Sequence, residues 1–196
     1  MKKIVIYVGV VLVIVVFIIL YKSCQKNTIA SYFEQDNEGW IVVGDAQEGS
    51  AKPDYHNNQG NSGGYISAED NATGGHWFWC APEKFLGNRS SSYGKKITFS
   101  LKQSSTDNQF DAEDVILFGD EKKIVFYTSM NPDITWTEYS VALAEEAGWK
   151  YNNSSGDVVS KEDFNKILSN LTAIHIRGEF VSGEDTGGLD NVILFR

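Results

Sequence analysis

The side chains that could do chemistry are three histidines and many carboxylates, and neither group has a catalytic arrangement. His56, His76 and His175 lie far apart along the chain. None belongs to an H-E-x-x-H motif, an ordered Ser-His-Asp set or a cysteine–histidine cluster. Carboxylate pairs can hydrolyse glycosidic bonds, but nothing in the pattern of the 26 acids selects a pair. We therefore expect a protein that is not an enzyme.

Aromatic side chains are the second candidate group, because sugar sites stack exposed rings on the sugar and hydrogen-bond its hydroxyls. The stretch Asp45–Gly63 is rich in Gly and Asn and predicts a long loop of the kind that often carries function. The candidate ligand-binding residues are Tyr55 and His56 in this loop, Trp77 and Tyr151. Each has burial as its alternative, since large aromatic rings mostly fill cores.

Tryptophan positions indicate which rings are buried. In the predicted strand His76–Cys80, Trp77 and Trp79 share one face, and Phe78 and Cys80 share the other. Because one face must join the core, at most one of these faces can bind a ligand. Trp40, Trp136 and Trp149 have apolar neighbours, and we expect them in the core.

The N-terminus carries a membrane-segment pattern. Residues Ile4–Tyr21 form an apolar run without charge after Lys2 and Lys3, and its 18 residues would span roughly 27 Å as a helix. The run is longer than a secretory h-region. We expect a signal anchor over residues 1–21, with the N-terminus in the cytoplasm, and a polar stalk over residues 22–30. The alternative is a signal peptide cleaved near Ala30, which would release a secreted protein.

The rest of the chain is strongly acidic. Residues 31–196 hold 13 basic and 26 acidic side chains, a net charge of −13. Such a surface repels phosphate backbones, which argues against a nucleic-acid partner. Bound calcium, a basic partner or simple solubility would each explain the excess acid. The two cysteines, Cys24 and Cys80, are too few for a disulfide framework, and we expect Cys80 to be a buried free thiol.

Short apolar or alternating runs separated by Gly, Asn, Asp and Ser predict an all-β sandwich. The predicted strands are Ser31–Glu34, Trp40–Gly44, Gly64–Ala68, His76–Cys80, Lys96–Lys102, Asp114–Phe118, Lys123–Tyr127, Thr135–Leu143, Ala173–Phe180 and Leu189–Phe195. One short helix is expected near residues 161–169, because Ser160 and Asp163 form a capping-box pattern before residues with 3–4 apolar spacing.

Two sequence blocks carry a family resemblance. Residues 79–94 read W-C-A-P-E-K-F-L-G-N-R-S-S-S-Y-G, and residues 168–192 contain L-S-N-L-T-A-I-H-I-R-G-E-F followed by G-G-L-D-N-V. Together with shorter matches in the same order, they resemble the laminin IV type A domain, also called laminin B, over about residues 31–196. Turn and packing roles explain both blocks, so they identify a fold and not a ligand site.

The resemblance implies a jelly-roll-like β-sandwich similar to carbohydrate-binding modules, which often hold a structural calcium ion where the first and last strands meet. Calcium prefers oxygen ligands. The residues that the resemblance brings forward as ligands are Glu34, Asp36, Asp70 and Asp190. Solvated acids and turn caps are the alternative explanation of these side chains.

Together these features predict a membrane-anchored, extracytoplasmic, non-catalytic binding or adhesion module. The domain would face the cell surface or periplasm, held by residues 4–21, and bind a glycan or an extracellular or envelope protein. The alternative is a structural or protein-interaction scaffold domain without a sugar ligand.

Overall fold

The computed structural model describes residues 27–44, 52–70 and 75–196. Within these ranges lie twelve strands and one α-helix. The strands are β1 (Thr28–Ser31), β2 (Ile41–Gly44), β3 (Asp54–His56), β4 (Tyr65–Asp70), β5 (Trp77–Cys80), β6 (Lys96–Gln103), β7 (Val115–Gly119), β8 (Lys122–Phe126), β9 (Thr137–Ala142), β10 (Lys150–Tyr151), β11 (Leu171–Arg177) and β12 (Asp185–Phe195). The helix α1 spans Lys161–Ser169.

The strands form two antiparallel sheets of six strands each. The front sheet has the order β3–β4–β12–β6–β9, and β1 pairs with the last residues of β12. The back sheet has the order β10–β8–β7–β11–β5–β2. The prediction of an all-β sandwich with one short helix is confirmed.

The core lies between the two sheets and follows the two-residue alternation of the strands. Ile66 and Leu189 of the front sheet and Trp79, Leu117 and Ile176 of the back sheet are almost fully buried. Trp40 and Trp149 are also fully buried, as the sequence predicted. The front and back sheets therefore each keep an outer face for other contacts.

The two sequence blocks that identify the fold are hydrogen-bonded to each other. Phe85 is fully buried, and Gly87 follows it in a turn with φ of +86°, which favours glycine. Gly87 exchanges two main-chain hydrogen bonds with Leu171, of 2.8 and 3.0 Å. The amide of Arg89 donates to the carbonyl of Leu168 at 2.7 Å. Both blocks serve packing, as the sequence suggested.

The helix begins where its capping pattern predicts. The side chain of Ser160 accepts a hydrogen bond from the amide of Asp163 at 3.2 Å. Phe164, Ile167 and Leu168 are buried on one face, so α1 covers the edge of the core. A side-chain cap of this kind stabilises a helix by about 1 kcal/mol.

Three strand assignments from the sequence need correction. The first strand is Thr28–Ser31 and not Ser31–Glu34, so the sandwich takes in the last residues of the predicted stalk. It does so because β1 pairs with the C-terminal residues of β12. Part of the predicted loop Asp45–Gly63 is the strand β3, and β10 was not predicted. Strands of two or three residues are too short to show alternation.

The predicted membrane segment, residues 4–21, and Cys24 lie outside the described residues. Within the described residues, no helix is long and apolar enough to cross a bilayer. Cys80 is a free, half-buried thiol on the outer face of the back sheet, and burial raises its pKa.

Candidate functional site

The outer face of the front sheet carries a compact group of aromatic and basic side chains. We call His56, Tyr65, Lys102 and Trp136 the front-face cluster. The rings of His56 and Tyr65 are stacked with centroids 4.4 Å apart, and Trp136 meets Tyr65 edge to face at 5.4 Å. The ammonium of Lys102 lies 4.0 Å from the centroid of Tyr65 and 4.7 Å from that of Trp136.

Strand alternation positions this cluster. On β4, Ile66 points into the core, so Tyr65 and Ser67 point outward. On β6, Leu101 is in the core and Lys102 lies on the opposite face. His56 of β3 is the cross-strand partner of Tyr65, which brings their rings together.

Two clefts flank the loop that crosses this face. The crossing loop, residues 57–63, is attached through Gln59, whose carbonyl accepts from Trp136 Nε1 at 3.1 Å. The side-chain nitrogen Nδ2 of Asn61 donates to Ser100 Oγ and Glu138 Oε1, both at 3.1 Å. A cleft of about 300 Å³ lies beside Tyr65 and Lys102, and one of about 520 Å³ lies beside Asn61 and Glu138.

The chemical groups of the face suit a polar ligand with an apolar surface. His56 Nε2 is 2.8 Å from Ser67 Oγ. The His56 ring is stacked on the half-buried ring of Tyr65, and Ser67 lines the smaller cleft together with Tyr65. Ile134 is 59% exposed and lines the smaller cleft with Lys102. The cluster therefore offers ring surface, hydroxyl and ammonium donors and an apolar rim in one place.

The His56–Ser67 contact is the nearest approach to a nucleophile–base pair. Activation of a serine also needs a third group that orients the histidine. Within residues 27–44, 52–70 and 75–196, the hydrogen-bond partner of His56 is Ser67, and no carboxylate bonds its ring. The His56 ring is instead stacked on Tyr65, so this contact positions an aromatic group.

Of the four predicted ligand-binding residues, the structure places only His56 in the front-face cluster. Tyr55 points to the inner side, packs against the core and donates to the carbonyl of Glu34 at 2.9 Å. Trp77 is fully buried, so its prediction as a ligand-binding ring is wrong: its face of β5 is the core face. Tyr151 packs against the core and donates to Asp163 Oδ2 at 2.6 Å.

Three members of the cluster, Tyr65, Lys102 and Trp136, were not predicted to bind ligands. Trp136 was expected in the core but is half-buried on the front face. Tyr139 and Val141 of β9 point inward, so the alternation places Trp136 and Glu138 outside. Tyr65 was missed, although its position next to the core residue Ile66 carried the same signal.

Two of the four carboxylates predicted to bind calcium, Asp190 and Glu34, lie beside the crossing loop. Asp190 is fully buried and accepts from the amides of Asn191 at 2.6 Å and Ser62 at 3.0 Å. Burial raises the pKa of Asp190 to about 6, with a smaller contribution in the same direction from the charge of Glu34. Glu34 is exposed, and its Oε1 would lie 3.0 Å from a β-carbon at Gly63. Both acids therefore lie next to the end of the crossing loop, Asp190 at Ser62 and Glu34 at Gly63.

The other two predicted ligands lie elsewhere. Asp36 accepts from the amide of Glu38 at 2.6 Å, which is a turn contact. Asp70 is the cross-strand partner of Asp185. Asp185 is five residues from Asp190 on β12, a separation of about 17 Å along a strand. The predicted set therefore does not form one site, and in the described part of the chain no three acidic, histidine or cysteine side chains converge as metal ligands.

Comparisons with known proteins agree with this architecture. The family model for laminin B (domain IV) matches residues 78–195. Laminin subunit gamma-1 of Xenopus tropicalis is 31% identical over 174 residues, which cover 87% of this chain and 10% of that protein. The chain thus spans about a tenth of the length of this relative.

Two solved structures share the fold. The L4b domain of human laminin alpha-2 has a TM-score of 0.63 at 15% identity, covering 85% of this chain and 96% of that one. A family 11 carbohydrate-binding module from Clostridium thermocellum, in complex with a β-1,3-1,4-mixed-linked tetrasaccharide, has a TM-score of 0.54 at 17% identity. It covers 86% of this chain and 95% of that module. The family match extends over more than half of the sequence, and the chain belongs to the laminin B (domain IV) family.

Proposed function

We propose that the protein is a non-catalytic binding module whose front-face cluster and flanking clefts hold a glycan. The observation that carries this proposal is the half-buried group of His56, Tyr65 and Trp136 around Lys102, on the outer face of the front sheet. A sugar needs apolar contact on one ring face and hydrogen bonds at its rim. The cluster supplies both kinds of contact.

The arrangement of the clefts supports an elongated ligand. Both clefts lie on the outer face of the front sheet, separated by the crossing loop. The first is lined by Tyr65, Lys102 and Ile134, and the second by Asn61, Ser100 and Glu138. A chain of sugar units lying across the face would contact both sides of the loop.

We also propose that the domain lies outside the cytoplasm, held by residues 4–21. The apolar run and its lysine flank support this placement, as does membership of a family found in laminin chains. Protease treatment of intact cells would digest the domain if it faces outward. Resistance in intact cells, with digestion after lysis, would place it inside.

The second candidate is a protein-interaction domain without a sugar ligand. Met130 and Ile134 are 60% and 59% exposed, and both belong to the segment before β9. Exposed apolar side chains near the front-face cluster would also suit a protein surface. This candidate predicts binding to an extracellular or envelope protein that free sugars do not inhibit.

A glycan array probed with the full chain tests the first proposal, with Trp136→Ala as the site variant. The matched control is Phe78→Ala, since Phe78 is also half-buried but lies on the outer face of the back sheet. We expect Trp136→Ala to weaken binding at least tenfold, about 1.4 kcal/mol, and Phe78→Ala to leave it unchanged. An array without hits, or hits that survive Trp136→Ala, would exclude this glycan site.

A further inference from the structure

A pair of buried carboxylates lies at one end of the sandwich, away from the crossing loop. Asp70 ends β4 and faces Asp185, the first residue of β12, as its cross-strand partner. The two residues are 3% and 5% exposed. Both lie on the inner side of the front sheet, since Ile66 and Leu189 have the same parity and belong to the core. Opposite side chains in an antiparallel pair have β-carbons about 5 Å apart.

Within the described residues, neither carboxylate oxygen of Asp185 has a hydrogen-bond partner. A buried, ionised carboxylate without a partner is costly because it has lost its water and gained nothing in return. The neighbouring charge of Asp70 adds repulsion. Burial and this charge raise the pKa of Asp185 to about 7. In the part of the chain that the structure describes, this buried carboxylate thus lacks a compensating group.

The same carboxylate lines a polar cavity of about 360 Å³. The other residues around it are Glu69, Asp70, Glu184 and two hydroxyl residues, Ser104 and Thr186. The lining therefore provides carboxylate and hydroxyl oxygens, and none of the described residues in it is basic. Oxygen atoms of this kind, completed by water, are the ligands of hard divalent cations.

We propose that Asp70 and Asp185 bind a calcium ion in this cavity. Each carboxylate can supply one or two oxygens, and water in the cavity can complete the coordination. The ion would compensate the charge of Asp185 and join the ends of β4 and β12. A Kd of order 10⁻⁴ to 10⁻³ M, typical of extracellular calcium modules, is expected.

This site differs from the one predicted from the sequence. Asp190, the buried acid of that set, already accepts main-chain hydrogen bonds on both carboxylate oxygens. No group among the described residues donates a hydrogen bond to the Asp185 carboxylate. Only Asp70 is common to the predicted set and the proposed pair.

The cation site also adjoins the smaller cleft of the front face. Ser104 and Thr186 line both the acidic cavity and the cleft beside Tyr65 and Lys102. The amide of Thr186 donates to Ser104 Oγ at 2.9 Å, and the amide of Ser104 donates to the carbonyl of Thr186 at 3.0 Å. The ion would therefore fix the end of this cleft whether or not a glycan occupies it.

Calcium titration of the full chain tests the proposal. After removal of divalent ions by chelation, calorimetry with calcium chloride up to about 10 mM at pH 8 should show one site, and the melting temperature should rise with calcium. Asp185→Asn should weaken binding at least tenfold and abolish the thermal shift. Asp36→Asn is the control, since this exposed acid belongs to the earlier predicted set and its loss should change neither result.

Each outcome decides the question. In chelator, Asp185→Asn should be no less stable than the wild type, because it removes a buried charge, so loss of calcium binding would not reflect misfolding. Asp70→Asn gives a second reading of the same site. A wild-type chain that shows no calcium heat and no thermal shift, even if its stability depends on pH, would mean that Asp185 only holds a proton and would overturn the proposal. Binding that Asp185→Asn retains but Glu34→Gln loses would move the ion to the crossing loop.

Discussion

Two aromatic pairs on opposite sides of the front sheet have nearly the same geometry and different surroundings. Trp77 and Trp79 meet edge to face at 4.9 Å and 79°, and Tyr65 and Trp136 at 5.4 Å and 80°. The first pair is fully buried between the sheets, whereas the second is half-buried beside Lys102. The distance and angle between the rings therefore do not distinguish a core pair from a binding pair. The side of the sheet on which the pair lies does distinguish them, because only the outer side faces solvent.

Neighbouring glycines of β12 make room for the two pairs. A β-carbon at Gly187 would lie 2.9 Å from Trp77 Cη2, and one at Gly188 would lie 3.2 Å from Trp136 Cη2. Successive residues of a strand point to opposite faces, so one Gly-Gly step serves the core on one side and the cleft on the other.

Removal of the buried ring should have the largest effect. We expect Trp77→Ala to lower the free energy of unfolding by about 3–5 kcal/mol, because a large core side chain leaves a cavity. Trp136→Ala should cost only about 1 kcal/mol, since it loses a half-buried contact with Lys102 and a hydrogen bond to Gln59. Urea unfolding of both variants measures the difference, and equal costs would show that Trp136 belongs to the core after all.

The glycine pair gives the next largest contrast. Gly187→Ala would place its β-carbon 2.9 Å from both the Gly178 carbonyl oxygen and Trp77. These neighbours are rigid, so a loss of about 1–3 kcal/mol is expected. Gly188→Ala meets side-chain atoms of Lys102 at 2.9 and 3.0 Å and of Trp136 at 3.2 Å. Because both side chains are only half-buried and can shift, it should cost less than Gly187→Ala, about 1 kcal/mol. If a ligand binds the cleft, Gly188→Ala should weaken it more than Gly187→Ala, which is measurable by the same binding assay.

The sequence predicted the two sheets better than it predicted which face of a strand carries the candidate ligand site. The patterns around Phe85 and Ser160 depend on nearby residues, and both predictions were confirmed. Phe85 lies in the core, and Ser160 caps the helix. The choice between the two faces of β5 could not be made in this way. It depends on the strands of the other sheet that cover Trp77, and these are distant in the sequence.

The same limit applies to the carboxylates. Asp70 and Asp185 become neighbours only through the register of β4 and β12, which are separated by more than a hundred residues. In contrast, Trp136 could have been assigned from the alternation with Tyr139 and Val141, since all three lie in or next to one strand. Local periodicity thus identifies the side of a strand, whereas a site between strands requires the register.

The stability of the folded chain should also depend on pH in the absence of divalent ions, because of buried acids on the inner side of the front sheet. The pKa of Asp185 is about 7 in the folded chain and about 3.9 in the unfolded one, so the folded state binds the proton more tightly. Stability from this group is present below pH 4 and is lost as the pH rises to about 7. Asp190 acts in the same direction up to about pH 6.

Comparison of the wild type with Asp185→Asn isolates this contribution. Thermal unfolding in chelator from pH 4 to pH 8 should show a steeper decline for the wild type, with the curves separating most between pH 5 and 7. The charged side chains that line the cavity with Asp185 are Glu69, Asp70 and Glu184, so none of them offsets its charge. Parallel curves would mean that Asp185 keeps an ordinary pKa and that the buried pair is better solvated than its burial indicates.

The smallest expected effect concerns the charge on the outer side. Lys102→Met keeps most of the apolar side chain and removes the ammonium 4.0 Å from Tyr65 and 4.7 Å from Trp136. A partly exposed cation–π contact contributes about 0.5–1 kcal/mol, so Lys102→Met should lower the free energy of unfolding by about that amount. Lys96→Met is the control on the same strand, with its ammonium 5.3 Å from the Phe195 ring, and should change stability less. A double-mutant cycle of Lys102→Met with Trp136→Leu measures the coupling directly. Because Trp77 and Trp79 contact no cation in this way within the described residues, coupling between Lys102 and Trp136 would mark the outer pair as a charged recognition surface, and its absence would leave the two pairs different only in burial.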